Sequence, residues 1–167
     1  MVPPRDPALT VDDVARESSP MIILVHHADA VGPEVDAQRP LSAAGRAHAD
    51  RLAADAAARG VKPAAVWHSG KLRARQTAEA FRRACNPQAE LAAIRGLRPD
   101  DPPNQVRTGL AGESRDVILV GHMPNLPRLL HALLGRREGE PPASFPQHGL
   151  VALEADGEVW VERWRIE

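Results

Sequence analysis

The chain has 167 residues, 43% of them hydrophobic, which suits one domain of ordinary size with a real core and excludes a disordered polymer. Twenty-one basic residues against twenty-two acidic leave a formal net charge of −1, so a general nucleic-acid or membrane-surface binder is excluded and any basic site must be local. The single cysteine, Cys85, permits neither an internal disulfide nor a thiolate cluster; it reads as a small buried apolar residue in a reducing, cytoplasmic setting.

Residues 1–19, with Pro3, Pro4, Pro7 and the acidic pair Asp12-Asp13, lack a basic-then-apolar leader pattern. They read as a poorly ordered extension with at most a helical turn around Thr10 to Arg16, and residues 20–167 as a single domain. The apolar run Ile22 to Val25 is a strand, far too short to span a membrane, and it closes in His26-His27-Ala28-Asp29. A loop through Gly32 and Pro33 to Pro40 leads to Ser42, a good cap for an Ala-rich helix that stops at Gly60. Ala64 to Trp67 is a second strand. Leu72 to Cys85 is a helix whose apolar face includes Leu72, Ala78 and Phe81, and Asn86-Pro87 ends it. Beyond the Pro-rich stretch 99–103, a weak helix is expected at about Gln105 to Leu110. Asp116 to Val120 is a third strand and Asn125 to Leu134 a helix stopped by Gly135. Strands at about Leu150 to Glu154 and Glu158 to Arg165 form a hairpin about Asp156-Gly157.

Continuous apolar strands separated by helices imply an α/β fold: a largely parallel sheet with helices on both faces and a C-terminal antiparallel hairpin. In such a sheet the strand C-termini share one rim, and open α/β sheets carry their chemistry there. Three strands end in imidazole, at His26-His27, His68 and His122. After the second comes Ser69-Gly70-Lys71-Leu72-Arg73-Ala74-Arg75-Gln76-Thr77, which sets cations at a helix start. Cations oppose the helix dipole there unless an anion lies between them, so the rim reads as an anion site containing imidazoles.

Four segments, in order, resemble the histidine phosphatase superfamily, and within it the small bacterial phosphohistidine phosphatases. They are Leu24-Val25-His26-His27-Ala28-Asp29-Ala30, Arg39-Pro40-Leu41-Ser42-Ala43-Ala44-Gly45, Ser69 to Glu79, and Val120-Gly121-His122-Met123-Pro124-Asn125-Leu126. The resemblance implies a phosphoglycerate-mutase-like fold and a phosphatase that needs no cofactor and no metal. In that frame His27 is the nucleophile that carries the phosphoryl group until water removes it. Arg73 supplies planar cationic donors to the phosphoryl oxygens, and His122 donates to one of them as charge develops. Asp36 is the expected proton donor or water-positioning carboxylate. His26, Arg39 and Ser69 are expected to bind substrate, Ser69 with a competing role as a helix cap. Lys71 lies nearer the rim, Arg75 on the solvent face, and His48 and His131 in structural or exposed places; His148, which begins the penultimate strand, could approach the rim, with a structural place favoured. The substrate implied is a phosphorylated protein, phosphohistidine above all, or a small phosphomonoester; with no large insertion before Asp116, the site should be open and shallow.

The chain departs from the family in one place: its Arg-His-Gly motif reads His26-His27-Ala28 here. Arginine brings a permanent charge and a two-pronged donor, whereas imidazole is charged only when protonated. Deleting one such donor corresponds to about 2–4 kcal/mol of transition-state stabilisation. If His26 stands in for arginine it must be protonated while His27 must be neutral, which predicts a narrow, mildly acidic activity window. Ala28 in place of glycine is tolerable only at negative φ. Two other readings follow: a phosphate-binding module with little turnover, and a metal site formed by His26, His27, His68 and His122.

Overall fold

The computed structural model describes residues 19–167. The helical turn expected around Thr10 to Arg16, and almost all of the expected extension, lie outside the described residues.

The apolar strand β1 (Met21–His26) leads through a loop to α1 (Ala43–Ala58). Ser42 caps α1 as expected, its hydroxyl accepting from the Gly45 N–H at 3.0 Å, and the helix gives way to Gly60 at φ 84°. Then follow β2 (Ala65–His68), α2 (Leu72–Cys85), β3 (Glu90–Ala93), α3 (Asn104–Ala111), β4 (Val117–Gly121), α4 (Asn125–Leu133), β5 (Leu150–Asp156) and β6 (Val159–Ile166). The six strands form one sheet in the order β3-β2-β4-β1-β5-β6. The first four run parallel, β5 is antiparallel to β1, and β6 closes the hairpin at the edge.

One strand was not expected. Glu-Leu-Ala-Ala at β3 has no β-branched residue and no clean alternation, and it pairs on one side only, with β2. Its pairing is imposed by the neighbouring strand rather than by its own propensity.

Alternate residues of β1 enter opposite layers of core. Ile22 and Leu24 pack with Val106, Leu110, Leu126, Leu129 and Leu130, so α3 and α4 cover that face. Ile23 and Val25 pack with Leu52, Ala53, Ala56, Ala74, Ala78 and Phe81 beneath α1 and α2. Both faces are dry, which is why the central strands are apolar at every position. Burying each such aliphatic or aromatic side chain contributes roughly 1.5–3 kcal/mol.

The same packing fixes the end of β1. The Ser42 N–H donates to the Asp29 carbonyl at 3.0 Å and the Ser42 hydroxyl to the Asp29 carboxylate at 2.7 Å. Gly45 lies against the Asp29 carbonyl so closely that a Cβ would collide with it. The segment that carries the two imidazoles is therefore clamped to the start of α1.

Candidate active site

The rim is built where β1, β2 and β4 leave the sheet and where the chain re-enters it at β5. His26 lies opposite Gly121 in the register, and the His27 N–H donates to the Gly121 carbonyl at 3.1 Å, which sets His27 beside His122. Their rings are 4.9 Å apart. His27 is half-buried, with Nδ1 2.7 Å from the Ala28 carbonyl oxygen. A carbonyl can only accept, so Nδ1 holds the proton and Nε2 keeps a free lone pair. Among the described non-glycine residues only Arg39 and His148 have positive φ, so Ala28 meets the condition its methyl requires. That methyl packs in a small buried cluster with Leu41, Ala49 and Ala80.

Thr77 ties this loop to α2. Its hydroxyl accepts from the Ala28 N–H at 3.1 Å and donates to the Arg73 carbonyl at 2.9 Å, one turn earlier in the helix. The nucleophile loop and the residue bearing Arg73 thus share one buried hydroxyl. The Arg73 Nε is itself buried and has no protein partner. Burial first, and Arg39 second, lower the pKa of Arg73. A buried cationic N–H left unpaired inside a protein is a ready donor for an anion.

His122 is 2% exposed, and its Nε2 is 2.7 Å from the Ser69 hydroxyl, which also accepts from the Lys71 N–H at 3.3 Å. Its Nδ1 is buried without a partner. Ser69 therefore sits beneath His122, holding that ring as well as the start of α2.

Three imidazoles at the rim are held neutral. Burial, with smaller contributions from His27, His148 and Arg73, pushes His26 down to about 3. Burial also brings His27 down to about 4, its bond to the Ala28 carbonyl opposing and Arg73, His148 and Arg39 reinforcing the shift. His122 falls to about 2, again through burial first, then His27, Arg73 and Lys71. His26 has a second reason to stay neutral: its Nδ1 accepts the His148 N–H at 2.8 Å, which occupies that nitrogen's lone pair. The expectation of a protonated His26 as a cationic substitute for arginine is therefore corrected. His26 is a neutral ring, 6% exposed, with its proton on Nε2.

The cationic part of the rim comes from elsewhere. Arg39 adopts φ 51° and donates from Nε to the Val31 carbonyl at 3.0 Å, and its charge acts on both His27 and Arg73. Asp36 is exposed, and its carboxylate accepts the Gln38 N–H at 2.9 Å, a bond internal to its own turn. Arg75 is exposed and paired with Glu79 at 3.0 Å, as a solvent-face residue should be.

Two placements differ from the sequence reading. His68 does not join the other rim imidazoles; its Nδ1 accepts the Gly70 N–H at 3.0 Å, and burial first, then Arg75, lower its pKa against the opposing effect of Glu79. His148 takes the less favoured of the two places read for it and belongs to the rim. Its ring stacks on His26 with centroids 4.7 Å apart and planes at 4°, and lies 6.0 Å from His27. Its φ of 53° is sparsely populated for a side chain of this kind. Three bonds hold it there: its N–H to His26, its Nδ1–H to the His27 carbonyl at 2.7 Å, and its own carbonyl accepting from His48 Nε2 at 2.8 Å. Local sequence does not decide between the two places, because the partners of His148 lie a hundred or more residues away. Thr77 was legible in principle, one helical turn after Arg73.

The group of imidazoles close enough to share a metal is accordingly different from the one expected. Among the described residues it is His26, His27 and His148, with ring nitrogens within 4.8 Å of one another. His27 and His148 keep lone pairs on Nε2, but Nε2 of His26 carries the proton that its Nδ1 bond displaces. The set presents two ligands, fewer than a protein zinc site uses.

Fold and rim together define a class: an α/β protein whose strand ends gather a tautomerically fixed imidazole, an arginine with a buried, unpartnered Nε and a second neutral imidazole. Residues 22–98 match the model of the histidine phosphatase superfamily (branch 1). The fold of the whole is shared with the protein histidine phosphatase SixA complexed with tungstate, at 23% identity and TM-score 0.77 over 88% of this chain and 96% of that one. A protein assigned as phosphohistidine phosphatase SixA from Agrobacterium tumefaciens is 27% identical, TM-score 0.72, over 89% and 97%. A Plasmodium falciparum phosphoglycerate mutase is 19% identical, TM-score 0.67, over 88% and 90%. No curated protein sequence matches the chain significantly.

Proposed function

We propose that this protein is a phosphatase that passes a phosphoryl group through His27 to water, with phosphohistidine on a protein as its substrate. The observation that carries the reading is the tautomer of His27. The Ala28 carbonyl holds the proton on Nδ1, so the Nε2 lone pair is free at neutral pH, as a nucleophilic imidazole requires.

In the first step Nε2 of His27 forms a bond to phosphorus while the bond to the leaving atom breaks, and the leaving group departs with its electron pair. The phosphorylated ring is cationic, and its Nδ1–H strengthens its bond to the Ala28 carbonyl. Arg73 supplies its unpaired Nε–H to the equatorial oxygens, and Arg39 adds charge from the opposite loop. The Ser69 hydroxyl, donating to Nε2 of His122, leaves the Nδ1–H of His122 as a further donor. Water then attacks phosphorus, the N–P bond breaks, and His27 recovers its lone pair. His26 contributes an Nε2–H as a neutral donor. Asp36 is given no step in this scheme; it is exposed, and one of its carboxylate oxygens accepts the Gln38 N–H.

Support for a phosphorylated substrate comes from the SixA likeness, including a relative that carries tungstate, a phosphate analogue. No helix among the described residues is long and apolar enough to cross a membrane. Burial raises the Cys85 thiol to about 11, which suits an inert side chain; the compartment we assign is the cytoplasm.

The test is acid-quench trapping with 32P-labelled substrate. Wild-type protein should yield an acid-labile phosphoprotein that His27→Ala does not form, with turnover lost in the same variant. Turnover retained in His27→Ala overturns the assignment. Vanadate binding with no turnover on phosphohistidine protein or aryl phosphate makes the protein a phosphate-binding module instead.

A further inference from the structure

Beside the phosphoryl place an open cleft of about 550 Å³ is lined by Ser69, Gly70, Ala93, Arg95, Arg98 and Gln105, with Ile94 and Asp101 completing the wall. Ser69, the residue that holds His122, is thus the partition between the two. In a chain of net charge −1, the cleft carries two arginines, Arg95 and Arg98, against one carboxylate. Both guanidiniums are exposed, and among the described residues neither takes part in an ion pair or a side-chain hydrogen bond. The one carboxylate in the cleft does not neutralise them at their charged ends. Asp101 Oδ2 accepts two backbone N–H groups, from Gly96 at 3.2 Å and Arg98 at 3.0 Å.

Those bonds give the loop 96–101 a fixed shape. Asn125, fully buried at the head of α4, ties it to the catalytic rim by donating to the carbonyls of Gly96 at 3.1 Å and Asp101 at 2.8 Å. Asn125 is three residues beyond His122, so the loop that presents Arg98, and that Arg95 leads into, is bonded directly to the turn that presents His122.

We propose that this cleft binds a second anionic group of the substrate, a carboxylate or a phosphate, while the first phosphoryl group sits against His27, Arg73 and His122. The inference rests on the phosphatase reading above and adds the substrate class: molecules that present two anions side by side. Arginine is suited to the task, since its planar fork engages either anion with paired charge-assisted bonds. The second anion has two chemical sources, an acidic side chain flanking the phosphorylated residue of a protein or a carboxylate on a small phosphomonoester.

The experiment separates the sources and does not depend on turnover. By calorimetry, phenylphosphonate is compared with 3- and 4-carboxyphenylphosphonate on wild-type protein and on Arg95→Gln/Arg98→Gln. In parallel, peptides carrying a non-hydrolysable phosphonate analogue of phosphohistidine, with flanking aspartates, are compared with their alanine counterparts. A gain of about tenfold in at least one arm, collapsing to near unity in the double variant, is the expected result. A gain with the carboxylated phosphonates points to the small molecule, and a gain confined to the acidic peptides points to the protein. If phenylphosphonate binds but neither arm gains, or if the gain persists in the double variant, the cleft proposal falls and the phosphoryl site stands. If phenylphosphonate itself fails to bind, both readings fall. Binding with the expected gain but no hydrolysis removes only the phosphatase reading.

Discussion

The His148 N–H donates to Nδ1 of His26 at 2.8 Å across 122 positions of sequence. That bond decides what the altered motif means, because an imidazole nitrogen that accepts cannot also be protonated, and the ring is held near a pKa of 3. The position normally occupied by a permanent cation is held here by a neutral ring. The charge opposite the substrate then rests on Arg73 and Arg39.

The first consequence is for pH dependence. His27 must be neutral to attack, and its pKa of about 4 keeps it so through the neutral range. Activity therefore falls as pH drops through about 4 and does not fall between pH 6 and 8, the opposite of the acidic window that a charged His26 would give. Brief pH-jump measurements of kcat/KM, divided by the substrate's own second ionisation, read this directly. A loss of activity on the alkaline side near pH 6.5 would mean that His26 acts as a cation after all.

Arg73 and Arg75 lie two residues apart on α2 and should behave differently. Arg73 has a buried, unpartnered Nε, whereas Arg75 is exposed and bonded to Glu79. Arg73→Ala should weaken vanadate inhibition by about 100-fold or more, the size expected for one charge-assisted contact in a sheltered site. Arg75→Ala should change it less than twofold, since an exposed i,i+4 pair contributes only a few tenths of a kcal/mol. Equal effects would put the anion on the other side of the helix.

How much of this could be read in the sequence depends on the distance over which each feature is specified. The helix of α2 was legible to the residue because its start follows a strand-ending His68-Ser69-Gly70 and its end is marked by Asn86-Pro87. The rim was legible because apolar strands ending in histidine repeat the same local pattern. Strand β3 was not, since its pairing comes from β2 and not from its own four residues. The charge state of His26 was hidden for a similar reason: local sequence shows an imidazole beside another imidazole, while burial and the His148 N–H, which set its protonation, come from the far end of the chain. Ala28 was legible as a question only, and its backbone angle answered it.

Thr77 is a positioning residue with two bonds that a methyl cannot replace. Thr77→Val keeps the volume but leaves the buried Ala28 N–H without an acceptor, which costs about 1–3 kcal/mol of stability. It also frees the His27 loop from α2, so kcat should fall by tenfold or more with little change in KM. Thr77→Ser restores the hydroxyl and should recover most of kcat. A valine variant that melts early yet turns over normally would show that the bond is structural only.

The same buried imidazoles limit stability in acid. In the unfolded chain each titrates near 6.5, whereas His26 and His122 in the fold titrate near 3 and near 2. Below pH 6.5 the unfolded state binds protons that the folded state refuses, so stability is full above that pH and declines as pH falls toward the folded values. At pH 5 each ring costs about 2 kcal/mol, from roughly 1.5 pH units at 1.36 kcal/mol each. Two rings together remove about 4 kcal/mol, a large share of the 5–15 kcal/mol typical of a domain. Urea midpoints measured at pH 7.5 and 5.0 should therefore differ markedly, and His122→Asn, which cannot titrate, should narrow the difference. A midpoint independent of pH over that range would mean that these rings accept protons in the folded state, and the neutral His26 inferred from its bond to His148 would have to be abandoned with it.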